Sequence, residues 1–171
     1  MKQLLTLITS VEFGLAVGET PGILSRLFRA RLASMVALSA LSGYLFFARS
    51  FTTSGALVTL AIWLLAAGCS ALNQLQEIEI DRLMQRTRAR PLPTGELSAT
   101  QALVIAGLAI AIGLLLLLNT GLTPLLLGLF AILWYNGIYT PLKKMTAWAV
   151  FPGAVCGALP PLIGYSVAGG S

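Results

Sequence analysis

The chain has 171 residues, 57% of them hydrophobic and only 10% charged, with a net charge of +5 and a mean hydropathy of +0.86. Soluble domains carry about 25% charged residues, so the composition excludes a water-soluble domain and makes this an integral membrane protein. The positive charge does not argue for nucleic-acid binding: nearly all of it lies at the ends of apolar runs, where anionic lipid head groups and a phosphorylated substrate are the expected partners.

Residues 1–25 read as an interfacial or poorly ordered lead-in. Leu4-Leu5-Thr6-Leu7-Ile8 after Met1-Lys2 has something of a signal peptide, but Glu12 interrupts the apolar core and no small-x-small cleavage site follows. The segment lacks the arginine- and serine-rich character of an organelle transit peptide, which favours a bacterial cytoplasmic (inner) membrane.

Arg26, Arg29 and Arg31 precede the first uncharged run, Leu32 to Ala48, which with its flanks can cross a hydrocarbon core of roughly 30 Å. A second run extends from Ser50 to Gln76. The stretch from Leu97 to Leu142 has no charge and is too long for one span, and the segment from Asn119 to Pro124 divides it. Ser98 and Gln101 have the spacing of a capping box, which starts a helix after the Pro91/Pro93/Gly95 turn. Lys143 and Lys144 close the hairpin, and a last run from Met145 to Ser171 holds another span. The expected fold is an all-α, multi-pass transmembrane helical bundle with spans near 32–48, 54–76, 99–118, 124–140 and 147–167.

In the last span, Gly153 and Gly157 form a GxxxG pair whose default meaning is close helix packing, and Pro152, Pro160 and Pro161 are expected to kink or break the helix. Cys69 and Cys156 read as small buried residues, with no CxxC spacing, and there is no histidine. With the N-terminus inside, ten basic residues are cytoplasmic and only Arg49 is outside.

The 23 residues from Asn73 to Gly95 hold four of the eleven basic residues and three of the six acids. If the second span continues as a helix, Asn73, Glu77 and Asp81 fall at i, i+4 and i+8, about 80° of the circumference at roughly 100° per residue. Oxygen ligands on one stripe, with arginines close by, suit a hard divalent cation and the phosphates it bridges. The competing reading is a solvated loop whose charges only fix topology. Carboxylates at the hydrocarbon boundary need partners, so Glu77 and Asp81 carry the weight. Glu79 points away and pairs with Arg82 on the surface, and Arg82 and Arg86 face lipid head groups. Arg88 and Arg90 lie beyond the helix end, where a loop can fold them over a phosphate. Tyr135, Asn136, Tyr139 and Thr140 end the fourth span. Alone they read as an interfacial aromatic belt, while opposite the acids a tyrosine hydroxyl and the Lys143/Lys144 ammonium groups make a diphosphate clamp.

The pattern Asn73-x-x-x-Glu77-x-x-x-Asp81, continued through Met84-x-Arg86-Thr87-x-x-Arg90-Pro91-Leu92-Pro93-Thr94-Gly95, resembles the first acidic motif of the UbiA-type intramembrane prenyltransferases and, within them, the protoheme IX farnesyltransferases. Tyr139-Thr140-Pro141-Leu142-Lys143-Lys144 and Gly157-Ala158-Leu159-Pro160-Pro161 resemble that family's next signatures in order, and the likeness runs from about Leu27 to Ser171. Two departures stand out: Glu77 replaces the usual Asp, and Ala30 replaces a Pro between two basic residues. The resemblance implies a nine-helix bundle around an apolar cavity, of which this chain is the N-terminal part. Asn73, Glu77 and Asp81 would be the catalytic, Mg²⁺-holding residues, with Arg31, Arg88, Arg90, Tyr139, Lys143 and Lys144 binding diphosphate. The donor would be farnesyl diphosphate, the acceptor a vinyl group of protoheme IX, and the product haem O.

The family's second acidic motif has no counterpart here, since Glu12, Glu19 and Glu96 are the only other acids. The expectation is therefore a truncated or split enzyme, inactive alone, with a second half supplying the missing motif. Two alternatives stay open: a prenyltransferase for a quinone-precursor or chlorophyll-like acceptor, and a non-catalytic five-span membrane protein that retains the motif.

Overall fold

A computed structural model describes residues 20–169, and every regular element among them is helical. Helix α1 covers Thr20–Leu27, α2 Ala30–Ala48, α3 Thr53–Gln76, α4 Ile78–Leu83 and α5 Pro91–Thr94. Helix α6 covers Ala99–Leu118 and α7 Leu122–Ile132, which continues through a π-helical segment Leu133–Tyr139 into a turn Thr140–Leu142. A 3₁₀ turn, Ala147–Ala149, leads into α8, Val150–Val167. Of the expected lead-in, residues 1–19 lie outside the described residues, while 20–25 belong to α1.

Five helical stretches are long and apolar enough to cross a membrane: 30–48, 53–76, 99–118, 122–142 and 147–167. Helix α3 is the axis of the bundle, with 56% of its span buried against 17–28% for the others. It packs on α2 and α6 most extensively and also meets α7 and α8. Large apolar side chains such as Met35, Leu38, Phe46, Leu108, Leu115 and Leu133 remain exposed on the outer helices, where lipid is as apolar as a protein core.

Small residues set the closest approach. A Cβ on Gly164 would overlap the Ala40 carbonyl, and one on Gly43 would overlap the Pro161 carbonyl, so α2 and α8 meet backbone to backbone. This corrects the reading of Gly153 and Gly157 as a packing pair: Gly157 faces open space, and Gly153 makes room for the Tyr139 ring. Of the kink or break expected at Pro160 and Pro161, the break does not occur: both prolines lie inside the continuous helix α8. Contact with α2 on that side overrides the local preference. The Ser98/Gln101 capping box is present, with both reciprocal hydrogen bonds.

Candidate functional site

The last turn of α3 carries Asn73, Gln74, Gln76 and Glu77, and each reaches a different neighbour. Asn73 is 1% exposed, and its Nδ2 donates to Thr140 Oγ1 at 3.2 Å. Gln74 is fully buried and donates to the carbonyls of Arg26 (3.1 Å) and Leu27 (2.7 Å) at the end of α1. Gln76 donates to the Asn136 carbonyl at 3.1 Å, and Lys144 Nζ donates to the Gln76 carbonyl at 3.0 Å. One turn below Asn73, Asn136 Nδ2 donates to the Cys69 carbonyl at 3.2 Å. Together these bonds form a polar ladder that fixes α3 against the end of α1 on one side and against the π segment and the turn after it on the other. In a low-dielectric interior such buried bonds cost most when left unmade.

The uninterrupted stripe from Asn73 to Asp81 is not what forms. Helix α3 ends at Gln76, and Glu77 leaves helical geometry at φ −119°, ψ 9°. Its N–H closes a tighter turn onto Gln74 O at 3.3 Å, while the Asp81 N–H still reaches Glu77 O at 2.8 Å. The break turns each carboxylate to its own cation. Glu77 Oε2 lies 3.1 Å from Lys143 Nζ, and Glu77 Oε1 lies 4.0 Å from Lys144 Nζ. Asp81, 3% exposed, pairs with Arg90 Nη1 at 2.5 Å. All three motif side chains therefore face protein rather than lipid, as buried polar groups at a membrane boundary must.

Of the expected diphosphate residues, Arg90, Lys143, Lys144 and Tyr139 gather around these acids. Tyr139 sits under Lys143 Nζ, 5.5 Å from the ring centroid, and beside the Tyr135 ring at 5.6 Å. Arg31 and Arg88 are exposed and take part in none of the ion pairs among the described residues. Glu79 and Arg82 form the expected surface pair at 3.0 Å, and Arg86 is exposed. The loop carrying Arg90 is pinned by Thr87 Oγ1 on the Asp81 carbonyl at 3.2 Å and by Arg26, which donates to the Ala89 carbonyl and pairs with Glu96. That Arg26 hydrogen bond, with a second from Thr94, holds the Glu96 carboxyl below its ordinary range.

The roles of Gln74 and Gln76 escape a reading by charge. Their only signal is two amides at the end of an apolar run, where an unmade hydrogen bond is expensive.

The π segment widens the helix where it meets the site, with the Thr140 N–H bonding to the Tyr135 carbonyl five residues back. Such bulges concentrate at functional positions. Directly below, a cavity of about 230 Å³ opens between α2, α3, α7 and α8. Val36, Leu65, Ile132 and Ile163 line it, with Cys69, Cys156 and Tyr135. Both cysteines are free thiols.

Asn73, Glu77 and Asp81 offer only oxygen, the donor set of a hard cation such as Mg²⁺. Among the described residues no group of three or more His, Cys, Asp or Glu side chains is placed to hold a metal ion. A cation at these residues would complete its shell with water or ligand oxygens, as Mg²⁺ at phosphate sites does. The donor set thus fits Mg²⁺ presented with a phosphate.

Comparison with known proteins identifies the family. The model of the UbiA prenyltransferase family matches residues 34–171. The protoheme IX farnesyltransferase of Geobacter sulfurreducens is 46% identical over 145 residues, covering 85% of this chain and 54% of that protein. That of Oleidesulfovibrio alaskensis is 43% identical over 149 residues, covering 86% and 52%. The chain spans about half the length of the curated relatives it matches. Among solved structures, a UbiA homolog from Archaeoglobus fulgidus bound to GPP and Mg²⁺ superposes with a TM-score of 0.75 at 21% identity, covering 87% of this chain and 55% of that one.

Proposed function

The chain belongs to the UbiA prenyltransferase family, and from that premise we propose that it binds the diphosphate of an isoprenoid at the charged end of α3. In this reading it forms the first half of a farnesyltransferase acting on protoheme IX. One observation carries the reading: buried oxygen donors and paired cations converge one helical turn above an apolar cavity. A diphosphate head and a hydrocarbon tail require those two environments at that spacing. The Archaeoglobus homolog's GPP and Mg²⁺ support the ligand class, and the names of the bacterial relatives support farnesyl transfer to protoheme.

Asn73, Glu77 and Asp81 hold the cation in this reading. Lys143, Lys144, Arg90 and Tyr139 face the diphosphate oxygens, and Arg88 lies on the loop edge beside them. Bound Mg²⁺ supplies Lewis-acid stabilisation of the departing diphosphate. The basic side chains hold that anion after the carbon–oxygen bond breaks, by charge-assisted hydrogen bonds. The apolar lining from Val36 to Ile163 keeps water from the allylic carbon until the acceptor attacks. Arg26, Arg29, Arg82, Arg86, Arg88, Arg90, Lys143 and Lys144 share one end of the bundle and Arg49 caps α2 at the other, which supports a cytoplasmic site and N-terminus in a bacterial inner membrane.

The test is binding of labelled farnesyl diphosphate to the chain in lipid nanodiscs. Saturable binding that requires Mg²⁺ and is lost in Asp81→Asn is expected, and Mg²⁺-independent binding would overturn the site. Given protoheme or an aromatic acid as acceptor, the 171-residue chain alone is expected to turn over little. Robust product formation would overturn the half-site reading.

A further inference from the structure

We infer that Gly157 is the specificity-determining position of the apolar cavity: the side chain it lacks leaves the room through which an isoprenoid passes beyond its first isoprene unit. The inference rests on the diphosphate reading above and concerns the hydrocarbon chain alone. At roughly 100° per residue, Gly157 lies about 40° from Gly153 and about 20° from Gly164 around α8, so the three face one way. Protein fills the space before the outer two. A Cβ on Gly153 would stand 3.1 Å from the Tyr139 ring, and one on Gly164 would overlap the Ala40 carbonyl. Between them, a Cβ on Gly157 would meet no atom within 4 Å, and the space it faces is the cavity, which Cys156 and Pro160 line beside it. Packing therefore does not require this glycine, which is the less favourable choice inside a helix. A ligand lying against the wall does require it.

Its level along α8 sets which part of the ligand it meets. Gly153 seats the Tyr139 ring, above which Lys143 Nζ lies 5.5 Å from the centroid, and Lys143 in turn pairs with Glu77 at 3.1 Å. Gly153 thus marks where the charged cluster ends. Gly157 lies about 6 Å deeper, close to one helical turn and to the length of one isoprene unit. From Gly157 to Ile163, the deepest α8 residue of the lining, the helix rises about 9 Å more. An isoprenoid held by its diphosphate therefore ends its first unit at Gly157, and every further unit must pass it. Among the described residues that line the cavity, this is the one without a side chain.

The test measures Mg²⁺-dependent binding of dimethylallyl, geranyl and farnesyl diphosphate to the chain in lipid nanodiscs, with inorganic pyrophosphate as the headgroup reference. Wild-type affinity should rise with chain length, as more apolar surface is buried. Gly157→Leu sets a side chain across the path. Geranyl and farnesyl diphosphate should then lose about tenfold or more in affinity, the cost of overpacking, while pyrophosphate and dimethylallyl diphosphate bind as before. Gly157→Ala adds a single carbon to open space, so it should melt with the wild type and show the same selective loss in smaller measure. It decides the outcome if Gly157→Leu lowers the thermal midpoint. Val155→Leu, exposed on the same helix, should change no affinity. A loss shared by all four ligands, or farnesyl affinity unchanged in both Gly157 variants, overturns the inference. So does a loss in Val155→Leu as large as that in Gly157→Leu. Wild-type pyrophosphate binding that farnesyl diphosphate fails to exceed overturns this inference alone. Absence of Mg²⁺-dependent pyrophosphate binding overturns the diphosphate reading and this inference with it.

Discussion

The two ends of the bundle are built by opposite means. At the α2–α8 seam, helices come together because side chains are missing: Gly43 and Gly164 let backbones touch, and both helices run without interruption. At the motif end, helices come together through side chains, and regular geometry gives way three times. Arg29 is left-handed, Glu77 leaves the helix, and residues 133–139 widen into a π segment. Polar bonds from Asn73, Gln74 and Gln76 tie these irregularities together. The difference teaches that this fold keeps rigidity and chemistry apart, with packing supplying one and hydrogen-bonded strain the other.

The comparison breaks most readily at Asp81. Asp81→Ala leaves the mostly buried Arg90 without its partner, so a loss of about 3 kcal/mol is expected in denaturant or thermal unfolding, together with loss of Mg²⁺-dependent pyrophosphate binding. At the seam, Gly164→Ala forces a methyl into the Ala40 carbonyl and should cost about 1–3 kcal/mol by overpacking, while Gly157→Ala, facing open space, should be near neutral in the same melt. Equal effects at the two glycines would erase the distinction between the packed seam and the open face.

A finer cut separates the ladder from the ligands. Thr140→Val removes the acceptor of the Asn73 amide and should cost about 0.5–1.5 kcal/mol in stability, with weaker Mn²⁺ binding by paramagnetic resonance. Thr140→Ser should restore both. The smallest effect belongs to the exposed Arg26–Glu96 clamp. The folded state holds the Glu96 carboxyl below its ordinary range, so its contribution is present above the unfolded carboxyl's pKa and disappears as pH falls through the folded one. The melting difference between wild type and Glu96→Gln should therefore shrink on acidification from neutral pH, and a difference that grows would reverse the assignment.

Much of the architecture was legible because the bilayer restricts the choices. Charge-free runs of span length must be helices, Ser98 and Gln101 announce a helix start, and clustered basic residues mark one membrane face. The acidic motif was legible as residue types at a spacing. Its geometry was not: the spacing implied one straight stripe, whereas Glu77 turns out of the helix to meet Lys143, 66 residues away. The GxxxG spacing likewise pointed to Gly153 and Gly157, while the contact falls on Gly43 and Gly164. Helical periodicity says which residues share a face and nothing about which face meets a neighbour.

Hydropathy and charge act locally along the chain, so they alone specify an all-helical membrane chain with a cluster of oxygen donors and cations at one end. Which cation meets which acid, that Arg29 is half-buried while Arg31 is exposed, and that a cavity opens beneath Tyr135 are settled only in three dimensions. Those outcomes depend on the register between helices far apart in sequence, and buried amides and missing Cβ atoms set that register where no periodicity records it.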